Sequence, residues 1–206
     1  MNLFALLDQT AARHGDRGAV YLGERRVFTW KQLRDRVLRI ATSIRATGSP
    51  GDRIAVVSEN RPEIVELMFA IWAAERAFVP INYKLHPLEM QQIIDDSGAA
   101  LVVASPKIAR TLTSVTEVPV EALASPSYLN RLAAAPSERP RDTDPGALAW
   151  LFYTSGTTGR SKGAMLSHRN LMAMTPSRAD YGWASPVRNS FENCSRSAEA
   201  TSETAQ

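Results

Sequence analysis

The chain reads as an α/β protein with a mostly parallel sheet flanked by helices. Two observations predict this. Ile54-Ala55-Val56-Val57 and Leu101-Val102-Val103-Ala104 are apolar at every position, as strands buried on both faces must be; a sheet with one wet face would alternate. Between such runs lie longer stretches whose apolar residues recur at helical spacing. Strand and helix in alternation argue for crossover connections and a sheet covered on both sides.

The elements follow in order. Leu3, Leu6, Leu7 and Ala11 share one helical stripe over residues 3–14, which Gly15 closes. Val20-Tyr21-Leu22 and Arg26-Val27-Phe28 flank Gly23-Glu24-Arg25 and read as a β-hairpin. Thr29 with Gln32 three positions on makes a capping box. The helix it opens turns Leu33, Val37, Ile40 and Ile44 inward and Arg34, Arg36 and Arg45 outward, and Gly48 ends it. After the strand at Ile54, Pro62 sits near the start of a helix running to about Ala74. Phe78-Val79-Pro80-Ile81 is a short strand whose proline predicts an edge or irregular position. A helix from Leu88 to Ser97 carries Met90, Ile93 and Ile94 on one face before Gly98, and the strand at Leu101 follows.

From Ser105 to Pro145 the pattern weakens. Prolines at 106, 119, 126, 136, 140 and 145 punctuate it, and the segment reads as a surface excursion with one helix near Tyr128–Ala134. The chain returns to the sheet at Leu148. Residues 176–206 alternate small and polar types without a period of 3.6 or 2. Such a stretch cannot bury enough apolar area to offset an ordering entropy of roughly 1–2 kcal/mol per residue, which predicts a disordered tail.

Bulk properties narrow the class. An apolar fraction of 44% with 22% charged residues is that of a globular protein. A net charge of +3 with dispersed arginines gives no case for nucleic acid as a partner. The single Cys194 excludes an internal disulfide framework and fits a reducing cytoplasm. The N-terminus lacks a basic leader before an apolar core, and the apolar stretch from Ile64 to Ala74 is too short for a bilayer and interrupted by Glu66. A soluble, cytoplasmic protein without a transmembrane segment is expected.

Chemistry concentrates in one place. The apolar run Leu148-Ala149-Trp150-Leu151-Phe152-Tyr153 ends in Thr154-Ser155-Gly156-Thr157-Thr158-Gly159-Arg160-Ser161-Lys162-Gly163. Glycines let several N–H groups turn inward, hydroxyls add short donors, and a lysine supplies positive charge, which is what a polyphosphate needs. A polar β-turn with a solvated lysine is the plainer alternative. The spacing is not that of a Walker A loop, since Ser161 precedes and Gly163 follows Lys162. It is not a dinucleotide fingerprint either, because Gly156-Thr157-Thr158-Gly159 lacks the opening Gly-x-Gly. Gly163 to Ser167 reads as a return strand, so the loop forms a hairpin tip. Ser167 is a good N-cap for a helix through Asn170 and Leu171, with His168 in its first turn and structural there. His14 and His86 have no acidic or cysteine partner at ligand spacing, so no protein-bound metal is expected.

The run Tyr153–Gly163, with Leu166-Ser167-His168-Arg169-Asn170-Leu171 after it, resembles the signature loop of the AMP-forming adenylating enzymes. That superfamily includes the acyl-CoA synthetases, the luciferases and the adenylation domains of peptide synthetases. Thr29-Trp30-Lys31-Gln32-Leu33 and Pro80-Ile81-Asn82-Tyr83 are similar to further segments of acyl-CoA synthetases, so the likeness runs from residue 1 to about 175. One departure is Ser161, where the family most often has proline. The resemblance implies residues 1–175 as a partial AMP-binding, adenylate-forming N-terminal domain, and 176–206 as a disordered tail or the product of a frameshift or truncation near Thr175. It implies ATP with Mg2+ and coenzyme A as cofactors, and a carboxylic acid, fatty or otherwise, as substrate. Thr154, Ser155, Gly156, Thr157, Thr158, Gly159 and Lys162 would bind the ATP phosphates. The family's later motifs have no match here, which leaves the catalytic residues unassigned. Two alternatives stand beside the ligase: an inactive nucleotide-binding remnant, and an interaction protein whose loop is incidental.

Overall fold

The computed structural model describes residues 2–133, 139–140, 142–154 and 162–174. The elements are α1 (Phe4–His14), β1 (Gly18–Leu22), β2 (Arg25–Thr29), α2 (Trp30–Arg45), β3 (Arg53–Val57), α3 (Pro62–Ala73), β4 (Ala77–Ile81), α4 (Pro87–Ser97), β5 (Ala99–Ala104), α5 (Pro106–Leu112), β6 (Val120–Ala122), α6 (Pro126–Ala133), β7 (Leu148–Thr154), β8 (Lys162–Ser167) and α7 (His168–Ala173). They belong to one compact unit, Met1–Ala173. Strands β1 and β2 form the expected hairpin; the others make a sheet in the order β6-β5-β3-β4-β7-β8. Every pairing in it is parallel except β7 with β8.

The apolar runs are continuous because both faces are covered. Ile54 and Val56 belong to one core with α1, α2, α3 and the hairpin. Ala55 and Val57, one position on each time, belong to another with α4 and α5. Alternate side chains of a strand point to opposite faces, so each run feeds two cores. Full burial of a valine or isoleucine stabilises by about 1.5–3 kcal/mol, which makes these strands the least tolerant of polar substitution.

Capping sets the helix starts. The Thr29 side chain accepts from the Gln32 N–H at 3.2 Å, and the Gln32 side chain accepts from the Thr29 N–H at 2.9 Å, completing the predicted box. His86 does the same for α4: its Nδ1 accepts from the Leu88 N–H at 3.3 Å while Glu89 accepts from the His86 N–H at 2.8 Å. Gly98 closes α4 at φ 61°, the left-handed conformation that glycine adopts without strain.

Three expectations need correction. Pro80 does not mark an edge: β4 lies in the sheet interior, paired with β3 along its length, and its ladder to β7 is registered only at Phe78↔Trp150. The stretch from Ser105 to Pro145 is more than a surface excursion, since it holds α5, the edge strand β6 and α6. Its prolines mislead because Pro106 and Pro126 open helices, where a missing N–H costs nothing. Arg36 and Arg45 are not simply outward. Arg45 donates to the Ala73 carbonyl, and Arg36 lies 4.7 Å over the Phe28 ring and pairs with Glu66.

Glu66 is fully buried. Besides the Arg36 guanidinium, its carboxylate accepts from the Tyr128 hydroxyl at 2.5 Å, so one charge joins α2, α3 and α6. Burial first, and the Glu66 carboxylate next, hold the Tyr128 phenol protonated well above its ordinary range. Arg131 of α6 reinforces the junction with a fork to Glu121 of β6 at 2.7–3.0 Å and a bond to Ser43 of α2 at 2.7 Å. The predictions for 176–206, and for Ala134 at the end of α6, lie outside the described residues. Among the described residues no helix is long and apolar enough to cross a membrane.

Removing Glu66 would strand the Tyr128 hydroxyl and weaken Arg36. Glu66→Ala is expected to cost about 3 kcal/mol and Tyr128→Phe about 1 kcal/mol in urea unfolding. Equal stability of Glu66→Ala and the parent would show that the buried carboxylate is not a junction.

Candidate functional site

The hairpin of β7 and β8 carries the polar loop. Its strands are paired through Tyr153↔Gly163 and Thr154↔Lys162, so the two residues that bound the loop face each other at its mouth. Both Thr154 and Lys162 are exposed. Cross-strand partners share a face, which puts their side chains on the side of Phe152 and Trp150 and leaves Leu151, Tyr153 and Gly163 on the other. Lys162 has no ion pair among the described residues. Of the remaining loop candidates, Ser155, Gly156, Thr157, Thr158 and Gly159 lie outside the described residues.

Trp150 anchors the stem. Its ring meets Phe78 edge-on at 5.0 Å and lies 6.0 Å from Trp72, whose indole N–H donates to the Ala149 carbonyl at 2.8 Å. On the opposite face Tyr153 reaches across to α4 and donates to Asp96 at 2.6 Å. Burial and that bond push the Tyr153 phenol above its ordinary range, so it acts as a fixed donor. Gly163 is packed closely by the same approach: a Cβ there would stand 3.0 Å from Leu151 Cδ1 and 3.2 Å from Tyr153 Cζ, so those side chains would have to give by a few tenths of an ångström. The tyrosine thus packs beside the residue opposite it on β8 while tethered to α4, so the β7 stem is referred to the core and the exposed β8 stem, Lys162–Met165, is held through its pairing with β7. Nothing in the sequence pairs Tyr153 with Asp96, 57 positions away.

The segment after β8 is structural, as its capping pattern predicts. Asn170 N–H donates to Ser167 Oγ at 3.2 Å, and the Asn170 side chain accepts from the Ser167 N–H at 2.9 Å. His168 is buried, and its Nδ1 accepts from the Leu3 N–H at 3.3 Å. Burial lowers its pKa to about 4, so the ring is a neutral acceptor at physiological pH. Asn2 beside it donates to the Trp72 carbonyl at 2.7 Å and to Thr143 Oγ1 at 2.9 Å. Among the described residues no group of three or more His, Cys, Asp and Glu is placed to hold a metal.

Two measurements test these assignments. Tyr153→Phe removes one hydrogen bond, with an expected loss of about 1 kcal/mol on chemical denaturation. His168 should make stability fall in acid. With a folded pKa near 4 and an ordinary value of 6.5, the unfolded chain binds its proton first, so the contribution is whole above 6.5 and is lost as pH falls towards 4. It amounts to at most about 3 kcal/mol, and His168→Gln should flatten the melting temperature across that window.

The comparisons agree with the fold. The sequence profile of the family described as "AMP-binding enzyme" matches residues 7–191. A feruloyl-CoA synthase of Amycolatopsis sp is 38% identical over 168 residues, covering 79% of this chain and 31% of its own length. A fatty acid–[acyl-carrier-protein] ligase, ScoC of Streptomyces coeruleorubidus, is 30% identical over 179 residues, covering 83% and 34%. The chain therefore spans about a third of the length of these curated relatives. Among solved structures, ATP-bound MatB from Rhodopseudomonas palustris superposes with a TM-score of 0.75 at 31% identity over 88% of this chain and 38% of that one. VinN has a TM-score of 0.79 over 89% and 50%, and at 24% identity shows likeness of fold alone. On sequence profile, relatives and fold together, the chain belongs to the AMP-binding enzyme family.

Proposed function

We propose that the chain takes part in ATP-dependent adenylation of a carboxylic acid followed by transfer of the acyl group to coenzyme A, and that it contributes the phosphate-binding loop. One observation carries this reading. Lys162, exposed and without an ion pair among the described residues, stands across the hairpin mouth from the exposed Thr154, with the Ser155–Ser161 span between them. A cation and a hydroxyl fixed at the two ends of a glycine-rich span suit a polyphosphate, whose charge needs donors from several directions.

In this reading Thr154, Ser155, Gly156, Thr157, Thr158 and Gly159 donate to the β- and γ-phosphates, and Lys162 neutralises part of their charge. A carboxylate oxygen bonds to the α-phosphorus, and the bond from that phosphorus to the β-phosphate bridge breaks. Pyrophosphate departs with the electron pair. The thiol sulfur of coenzyme A then attacks the acyl carbon, AMP leaves, and the thiol proton passes to solvent. Such transfers are accelerated by positioning and charge stabilisation, which is what a tethered stem provides. Mg2+ would enter with the nucleotide and draw charge from the leaving phosphates. Fatty and aromatic acids, named for the relatives, are the substrates to try first, and the single Cys194 fits a cytoplasmic setting.

A second reading is nucleotide binding without turnover, which the same placement of Thr154 and Lys162 across the hairpin mouth would serve equally well. Acid-dependent exchange of labelled pyrophosphate into ATP separates the two. The ligase reading expects exchange with at least one acid, reduced roughly 100-fold by Lys162→Ala. ATP binding with no exchange would select the second reading. ATP affinity unaltered by Lys162→Ala would remove the loop from both.

A further inference from the structure

At the end of the sheet opposite Thr154 and Lys162, the starts of β3 and β5 border a cavity of about 290 Å3. The five residues of β3 put roughly 16 Å between the two ends. The walls are largely apolar, from Ile44, Ile54, Leu101 and Pro119, and Arg76 is set into them. Backbone geometry aims it: α3 ends with the Arg76 N–H on the Ile71 carbonyl at 2.9 Å, and Glu75 takes the left-handed φ of 62°.

Arg76 is 3% exposed, yet poorly satisfied. Its Nη1 donates to the Ala74 carbonyl at 3.1 Å, and its Nε stands 4.0 Å from Asp52 Oδ2, beyond hydrogen-bond reach. A guanidinium has five donors, and the others here find no hydrogen-bond partner among the described residues. Its one ion pair is the long one to Asp52, and desolvation, the largest influence, lowers its pKa against the opposing pull of Asp52 and Glu75. The neighbours are occupied. Asp52 accepts from the Ser49 N–H at 2.6 Å, Arg131 gives its fork to Glu121, and Arg45 donates to Ala73.

We propose that this cavity binds a small, flat, apolar molecule carrying one carboxylate, whose oxygens pair with the Arg76 fork. Its size is at the small end for ligand pockets, and a largely apolar wall with a few convergent polar groups, here Thr47, Asp52, Arg76 and Arg131, is their usual make-up. A carboxylate matches a planar fork with two parallel bonds. A phosphate dianion would need a second free cation, and it would face Asp52 and the nearby Glu75. The site is separate from the loop and does not depend on the adenylation reading.

Benzoate and its neutral isostere benzamide are the probes, titrated against the chain by ligand-observed NMR. Saturable benzoate binding in the millimolar range or below is expected, with benzamide at least tenfold weaker. Arg76→Gln should weaken benzoate at least tenfold. Ala100→Leu, an exposed position on the cavity wall, should do so by filling the space while leaving the core untouched. Lys162→Ala should leave benzoate affinity as it was. No saturable binding, equal affinity for the two probes, or binding indifferent to both Arg76→Gln and Ala100→Leu would overturn the site.

Discussion

The attachment of β7 to the parallel strands governs everything that concerns the loop. Its ladder to β4 is registered at one pair, Phe78↔Trp150, with Pro80 further along β4 unable to donate. Side chains supply the rest. Trp150 sits against Phe78 and Trp72, the Trp72 indole reaches the Ala149 carbonyl, and Tyr153 is tethered to Asp96. The hairpin that ends at Thr154 and Lys162 is therefore placed by aromatic packing on one face and a phenol–carboxylate bond on the other. Aromatic contacts of this kind are directional, which suits a stem that must present its tip in one orientation.

The second organising feature is the use of buried charge at the junctions. Glu66 between Arg36 and Tyr128, and Glu121 within the fork of Arg131, tie α6 to α2, α3 and β6. A buried ion pair contributes little net stability but penalises any arrangement that separates the partners. Here the pairs specify how a short helix following a proline-punctuated segment docks. Arg76 has only the long pair to Asp52, and Arg131 of the second junction lines the same cavity.

Much of this was legible in the sequence, and the failures have physical causes. Apolar runs such as Ile54–Val57 announce strands covered on both faces, and Thr29 with Gln32, or Ser167 before Asn170, announce helix starts, because each signal is local. The Tyr153–Gly163 run led to the family through its resemblance to a known signature loop, and the sequence profile bears the family out. Pro80, α5 and β6 were misjudged because proline's meaning depends on what lies beside it in space. Glu66 looked like an interruption in an apolar helix; its partners come from residues 30 positions before and 62 after. Asp96 and Arg76 carry no local signal, since their roles arise only where the sheet brings distant segments together.

One feature bears on how the molecule assembles. Asn2 and Leu3 make their hydrogen bonds to Thr143 and His168, across 141 and 165 positions. Contacts so remote in sequence are slow to form, because the intervening loop must close before they repay its entropy. On a ribosome, α1 would meet α2 and α3 early, since its apolar residues pack on them, while Asn2 and Leu3 would wait for Thr143 and His168. The hairpin strands and α7 then act as a latch, and the joining of α1 to them becomes a late event in folding.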